Sequence, residues 1–173
     1  MINADLALTN VTLTHRALRH LAWADDNFFA ALEQLPDAAF QARYAAEHWP
    51  VGELAVHIVG GAEWYRYCLT GEPWTDLREP TCGSDVTALR THLAELNAAL
   101  LHQADQPDGV MTFADEDGPR TALRSTILAQ ACLHAAEHRA QIACALDAAG
   151  FASPCLDDLD LWAFEKFQTH QNQ

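Results

Sequence analysis

The sequence predicts an all-α, antiparallel four-helix bundle. Three observations point there. Apolar residues recur at steps of three and four in long stretches, Pro and Gly punctuate the gaps, and no gap is long enough to separate domains. With 173 residues, half of them apolar and spread over the whole length, the chain can fill one core and is read as a single domain over 1–173.

The first stretch covers residues 10 to 35, where Leu18, Leu21, Phe28, Leu32 and Leu35 recur and Pro36 ends the pattern. The second helix starts at Pro50. Its inward stripe is Leu54, His57, Ile58, Gly61, Tyr65 and Cys68, and Gly71 with Pro73 stops it. Gly60 and Gly61 each cost this helix roughly 1 kcal/mol relative to Ala, which close approach of a neighbour or a kink would explain. The third helix begins at Ser84 or Asp85, both good N-caps. It carries Val86, Leu89, Leu93, Leu96 and Leu100, and closes before Pro107, Asp108 and Gly109. Residues 110 to 122 break the helical period, with two short segments around a turn, read as a β-hairpin or an irregular loop. The fourth helix runs from Ala122 to Ala149 with Gly150 at its end, and a short last helix covers Asp157 to Gln168.

Composition excludes several function classes. No run is long and apolar enough to span a bilayer, and MINADLALTN lacks the basic and apolar regions of a secretory signal, so a cytoplasmic protein is expected. The net charge of -14, with Lys166 the single lysine, repels phosphate backbones and anionic membranes. Neither nucleic acid nor a membrane is expected as a partner. The cysteines, Cys68, Cys82, Cys132, Cys144 and Cys155, are odd in number and form no C-x-x-C pair. That argues against a disulfide framework and a thiolate zinc site. Cys68, Cys132 and Cys144 are read as buried thiols.

The chemistry lies in the histidines. His134 and His138 stand four apart on the fourth helix, a spacing that advances about 6 Å and overshoots a full turn by about 40°. Both imidazoles then point the same way, beside the apolar stripe of Ile127, Ala131 and Ala145, and can hold one ion. His57, on the inward stripe of the second helix, offers a third nitrogen. Three imidazoles leave a coordination position open, the catalytic layout rather than the closed structural one. His134-Ala135-Ala136-Glu137-His138 also matches the H-x-x-E-H pattern of inverted zinc peptidases. That reading is disfavoured, because Glu137 lies about 100° around the helix from His138 and too little chain follows to bring in a further carboxylate ligand.

Three stretches resemble the DinB/YfiT-like superfamily of metal-binding helical bundles. WPVGELAVHIVGGAEWY at 49–65 looks like that family's second helix with its metal-binding histidine, HAAEHRAQI at 134–142 like its H-x-x-x-H-R-G-Q signature, and DDLDLWAFEKF at 157–167 like its closing helix. Ala140 departs from the signature's Gly, which bears on helix packing rather than on metal. The resemblance implies an up-down-down-up bundle, a homodimer, and His57, His134 and His138 as ligands of one divalent ion. Zinc or nickel is favoured, with iron or manganese as further options. It also implies a metal-dependent thiol-transferase or hydrolase acting on a small-molecule substrate, with a low-molecular-weight thiol as candidate cosubstrate. The competing readings are a non-enzymatic metal- or ligand-binding dimeric stress-response module, and three core histidines holding no ion.

Around the ligands, Glu53 lies one turn before His57, placed either to accept from its ring N–H or to remain a solvated first-turn carboxylate. Arg139 and Gln141 flank the pair and either orient an anionic substrate or thiolate or bond between helices. Trp49, Trp64, Trp74 and Trp162 are read as core or interface. His15, His20, His48, His92, His102 and His170 are not expected as ligands.

Overall fold

The computed structural model describes residues 12–171. Five helices form: α1 (Leu13–Leu32), α2 (Val51–Thr70), α3 (Gly83–Gln103), α4 (Arg124–Ala149) and α5 (Leu161–Gln171). Strands β1 (Val110–Asp115) and β2 (Gly118–Leu123) sit between α3 and α4, and 3-10 turns cover Asp37–Gln41 and Leu156–Leu159. The expected four-helix bundle is present. α1 and α2 each pack on both α3 and α4, so α1 and α2 occupy opposite corners.

Local signals set the boundaries. Thr12 caps α1 by accepting from the His15 amide at 3.2 Å. Pro50 serves as the N-cap of α2 rather than its first residue, and Gly71 ends that helix at φ 79, where its N–H reaches Tyr67 O at 2.8 Å. α4 ends in a Schellman motif: Gly150 takes φ 77, its N–H bonds Asp147 O, and the Phe151 N–H bonds Leu146 O. α3 begins at Gly83, earlier than expected. Asp85 acts from inside the helix, its carboxylate accepting from the Thr81 amide and hydroxyl at 2.9 and 3.0 Å. α1 stops at Leu32, leaving Leu35 outside it. α5 begins at Leu161 because Leu156–Leu159 forms a separate 3-10 turn.

Residues 110–123 are a hairpin. The register runs from Val110↔Leu123 to Asp115↔Gly118, leaving Glu116 and Asp117 as a two-residue turn. Met111 and Phe113 point inward, and Phe113 meets Trp64 edge-on with centroids 5.9 Å apart.

The core is a continuous apolar cluster from α1, α2, α3 and α4, joined by Ala39, Phe40 and Ala42 of the α1–α2 connection. Diagonal corners need such a long connection, and burying Phe40 contributes about 1.5–3 kcal/mol to holding it down. α5 covers α1 through Phe164, which packs against Trp23 with centroids 5.4 Å apart, while His20 Nε2–H donates to Leu159 O at 2.8 Å. Trp162, expected in the core or an interface, is 78% exposed.

Two polar layers interrupt this core. Glu63 of α2 accepts from the Thr75 hydroxyl (2.7 Å), the Thr75 amide (3.2 Å) and His92 Nε2–H of α3 (2.8 Å). Burial works against its charge, but these hydrogen bonds outweigh it and hold the carboxyl below its ordinary value. Deeper still, Asp25 of α1 pairs with Arg139 of α4 and accepts from Asn97 Nδ2 of α3 at 2.9 Å. Burial pushes the Asp25 carboxyl up, against the pull of Arg139 and Asn97.

An Asp25→Ala substitution buries the Arg139 guanidinium without its carboxylate. It is expected to cost roughly 3–5 kcal/mol of unfolding free energy. Urea denaturation checks this, and a loss below about 1 kcal/mol, the scale of an exposed pair, contradicts it.

Candidate metal centre

α2 carries one of the three histidines and α4 the other two, and the packing of these helices brings them together. One nitrogen from each of His57, His134 and His138 lies within 4.8 Å of the others. His57 Nε2 and His134 Nε2 are 3.1 Å apart. Ring centroids are 4.9 Å apart for His57–His134, 4.6 Å for His57–His138 and 4.3 Å for His134–His138. Donor atoms at the corners of a tetrahedral zinc site with 2.0–2.1 Å bonds stand about 3.3 Å apart. The His57–His134 pair matches that scale, and His138 lies close enough to join it. No carboxylate or thiol joins it among the described residues.

Gly61 makes the arrangement sterically possible. It lies one turn after His57 on α2, and a Cβ there would fall 2.4 Å from His134 Cε1 and 2.7 Å from its Nδ1. Close approach of a neighbour, rather than a kink, therefore accounts for this glycine. Gly60 is different: a Cβ there would meet only Leu77 Cδ1, at an ordinary 4.0 Å.

Surrounding groups prepare the rings for a cation. His138 Nδ1–H donates to Gln141 Oε1 at 2.7 Å, which leaves Nε2 to face the centre. Burial, then His138 and His57, lowers the His134 pKa to about 4. Burial and His138 also lower His57, against the opposite pull of Glu53. Neutral imidazoles are the form that binds metal, so the donor set fits a divalent ion held by nitrogen.

The flanking residues divide. Gln141 accepts from a ring of the trio on its own helix. Glu53 reaches His57 only through its field: its side chain is exposed, with no hydrogen bond to the ring. Arg139 is turned away, its guanidinium spent on Asp25, so the inter-helix reading holds and the substrate-orienting one does not.

A cleft of about 730 Å³ opens beside His138, between α4 and the segment leading into α2. Trp49, expected in the core or an interface, is 44% exposed on its wall and meets the His57 ring edge-on with centroids 4.7 Å apart. Ala140 also lines the cleft, so its methyl borders ligand space. Cys144 was expected to be buried; it is exposed in the same wall because it falls six residues after His138, off the packed face. Cys68 is buried as expected and Cys132 half-buried, and desolvation pushes both thiols up to about 11.

The DinB family profile matches residues 8–170, nearly the whole chain. The chain belongs to the DinB family. No curated protein matches it. Within this DinB chain, two of the three segments that carried the resemblance, 49–65 and 134–142, build the histidine cluster, and the third, 157–167, covers α1. The residue that sequence reasoning passed over is Asp25, although a carboxylate on the stripe of Leu18, Leu21, Phe28 and Leu32 was a visible signal.

Two outcomes follow from this geometry. Gly61→Ala is expected to displace the His134 ring and weaken divalent-metal binding by about tenfold or more, against the roughly 1 kcal/mol that Ala adds to helix propensity. Metal titration alongside thermal melting separates the two effects. In the metal-free protein, unfolded His134 takes its proton near 6.5 while the folded ring resists until about 4. The unfolded state binds more protons between these values, so stability should fall as pH drops through that window. His134→Gln should flatten the decline in pH-dependent denaturation curves.

Proposed function

We propose that this DinB-family protein is a divalent-metal enzyme of thiol-transferase or hydrolase type, with His57, His134 and His138 as ligands. The observation that carries the reading is a trio of imidazoles from two helices, one of which, His138, lines a cleft large enough for a small-molecule substrate. Zinc or nickel suits the nitrogen donors best, with iron or manganese as further options. When bound, such an ion supplies Lewis-acid activation of a thiol or a water at the coordination position that three protein ligands leave open.

The chain's own residues do the rest. Gln141 holds His138 in the tautomer that presents Nε2. Gly61 admits the His134 ring, and Tyr65 packs against that ring with centroids 5.7 Å apart. Trp49 braces the His57 ring on the side toward the cleft. The wall formed by Tyr44, Trp49 and Leu54 keeps a substrate's apolar part out of water.

The test is turnover by tag-free protein of measured metal content, against panels of thiol-plus-electrophile pairs and hydrolysable esters and amides. His134→Ala and His57→Ala should each lose bound metal and lower turnover by about a hundredfold or more, the scale of losing a metal's contribution. Fully metallated protein that consumes neither thiol nor ester would sink the enzyme reading. Metal removal that changes melting or oligomeric state without any catalytic loss would favour the dimeric binding module instead.

A further inference from the structure

We propose that a single buried water joins Asn97 of α3 to His134 of α4, so that Asn97 positions a ring of the histidine cluster from outside it. The inference rests on the metal reading for what that ring then does. Its evidence is a different part of the molecule, a small void inside the bundle between the Asp25–Arg139 pair and the cluster. The void measures about 10 Å³, at the lower limit of what one water needs. Its lining is apolar except for Asp25, Tyr65, Asn97 and His134. Asp25 already spends one carboxylate oxygen on Arg139 and the other on Asn97. The Tyr65 hydroxyl is hydrogen-bonded with Gln130.

Asn97 and His134 each keep one group open. Asn97 Nδ2–H donates to the Asp25 carboxylate at 2.9 Å, which fixes the amide and leaves Oδ1 as an acceptor. That oxygen is buried, and among the described residues nothing donates to it. On His134, Nε2 lies 3.1 Å from His57 Nε2 and faces the cluster, and this is the ring's one hydrogen-bonding contact among the described residues. When Nε2 binds an ion, Nδ1 carries the proton and calls for an acceptor. Nδ1 sits against α2 at Gly61, next along that helix to Ala62 of the void's wall. A water in the void accepts from His134 Nδ1–H and donates to Asn97 Oδ1, with spare lone pairs on Asp25 for its second hydrogen. A void of the same size beyond Asn97 makes no such link, because its further polar groups, Asp26 and Arg90, already pair with each other. The contacts then run from Arg139 through Asp25, Asn97 and the water to His134, so the buried ion pair reaches the ligand ring.

Crystal structures of the metal-free and the zinc-loaded protein, at a resolution that shows ordered water, should place one water about 3 Å from both Asn97 Oδ1 and His134 Nδ1. Long-range proton–nitrogen NMR of the imidazoles should find the His134 proton on Nδ1 in both forms. Asn97→Leu removes the acceptor and fills the void. It should raise the Kd for zinc by about tenfold, read by chelator competition well below the melting temperature, and let metal-free His134 populate the Nε2–H tautomer. A merely structural role for Asn97 would lower the melting temperature and leave both of those readings unmoved. Should Asn97→Leu fail to fold, the water and the ring proton of the wild type still decide. The proposal is overturned if no water lies between the two residues, if the His134 proton sits on Nε2 in the metal-free protein, or if folded Asn97→Leu binds zinc as the wild type does. Wild-type protein that takes up no zinc would sink the metal reading alone, since the water and the Nδ1 proton are read on metal-free protein. Intact zinc binding without the water would sink this proposal alone.

Discussion

The Asp25–Arg139 pair fixes how α4 is turned, and the histidine cluster depends on that rotation. α4 packs on α1 and α2 at once. Arg139 follows His138 directly, and successive residues lie about 100° apart around a helix. Pinning Arg139 to α1 therefore swings His138, and His134 one turn earlier, toward α2 and His57. A charge buried this deeply is costly unless it is paired, so few other rotations of α4 are tolerable.

Once α4 is so turned, α2 must yield space. His134 is bulky and points at the α2 backbone, and Gly61 is the residue that lets it in. The loss in helix propensity at Gly61 is small beside the clash that a Cβ there would make with the His134 ring. Desolvation then acts on the rings themselves. Burial and mutual repulsion keep His57 and His134 from taking protons. A cluster of three imidazoles that close would be unfavourable if charged, and becomes an asset when a cation is to be bound.

The second polar layer serves a different part of the molecule. Glu63 draws the 71–82 connection onto the bundle through Thr75 and ties α2 to α3 through His92. Trp64 and Tyr67 extend the same anchoring by packing on Trp74, with centroids 5.8 and 5.1 Å away. The start of α2, where Trp49 enters, instead borders the cleft that His138 lines.

Much of this was legible in the sequence, because helical period, caps and the i, i+4 histidine pair are local properties of the chain. The apolar stripes located the helices to within a few residues, Gly71 and Gly150 marked two ends, and His57 on an inward stripe pointed to a third nitrogen. What sequence alone determined is which side chains share a helix face. What tertiary structure decided is which faces meet: whether Gly61 was a kink or a contact, whether Arg139 faced substrate or Asp25, and whether Cys144 and Trp49 lay in the core or a cleft. Those choices turn on one residue's 100° of helix rotation and on long-range burial of charge, and neither quantity is written in local periodicity.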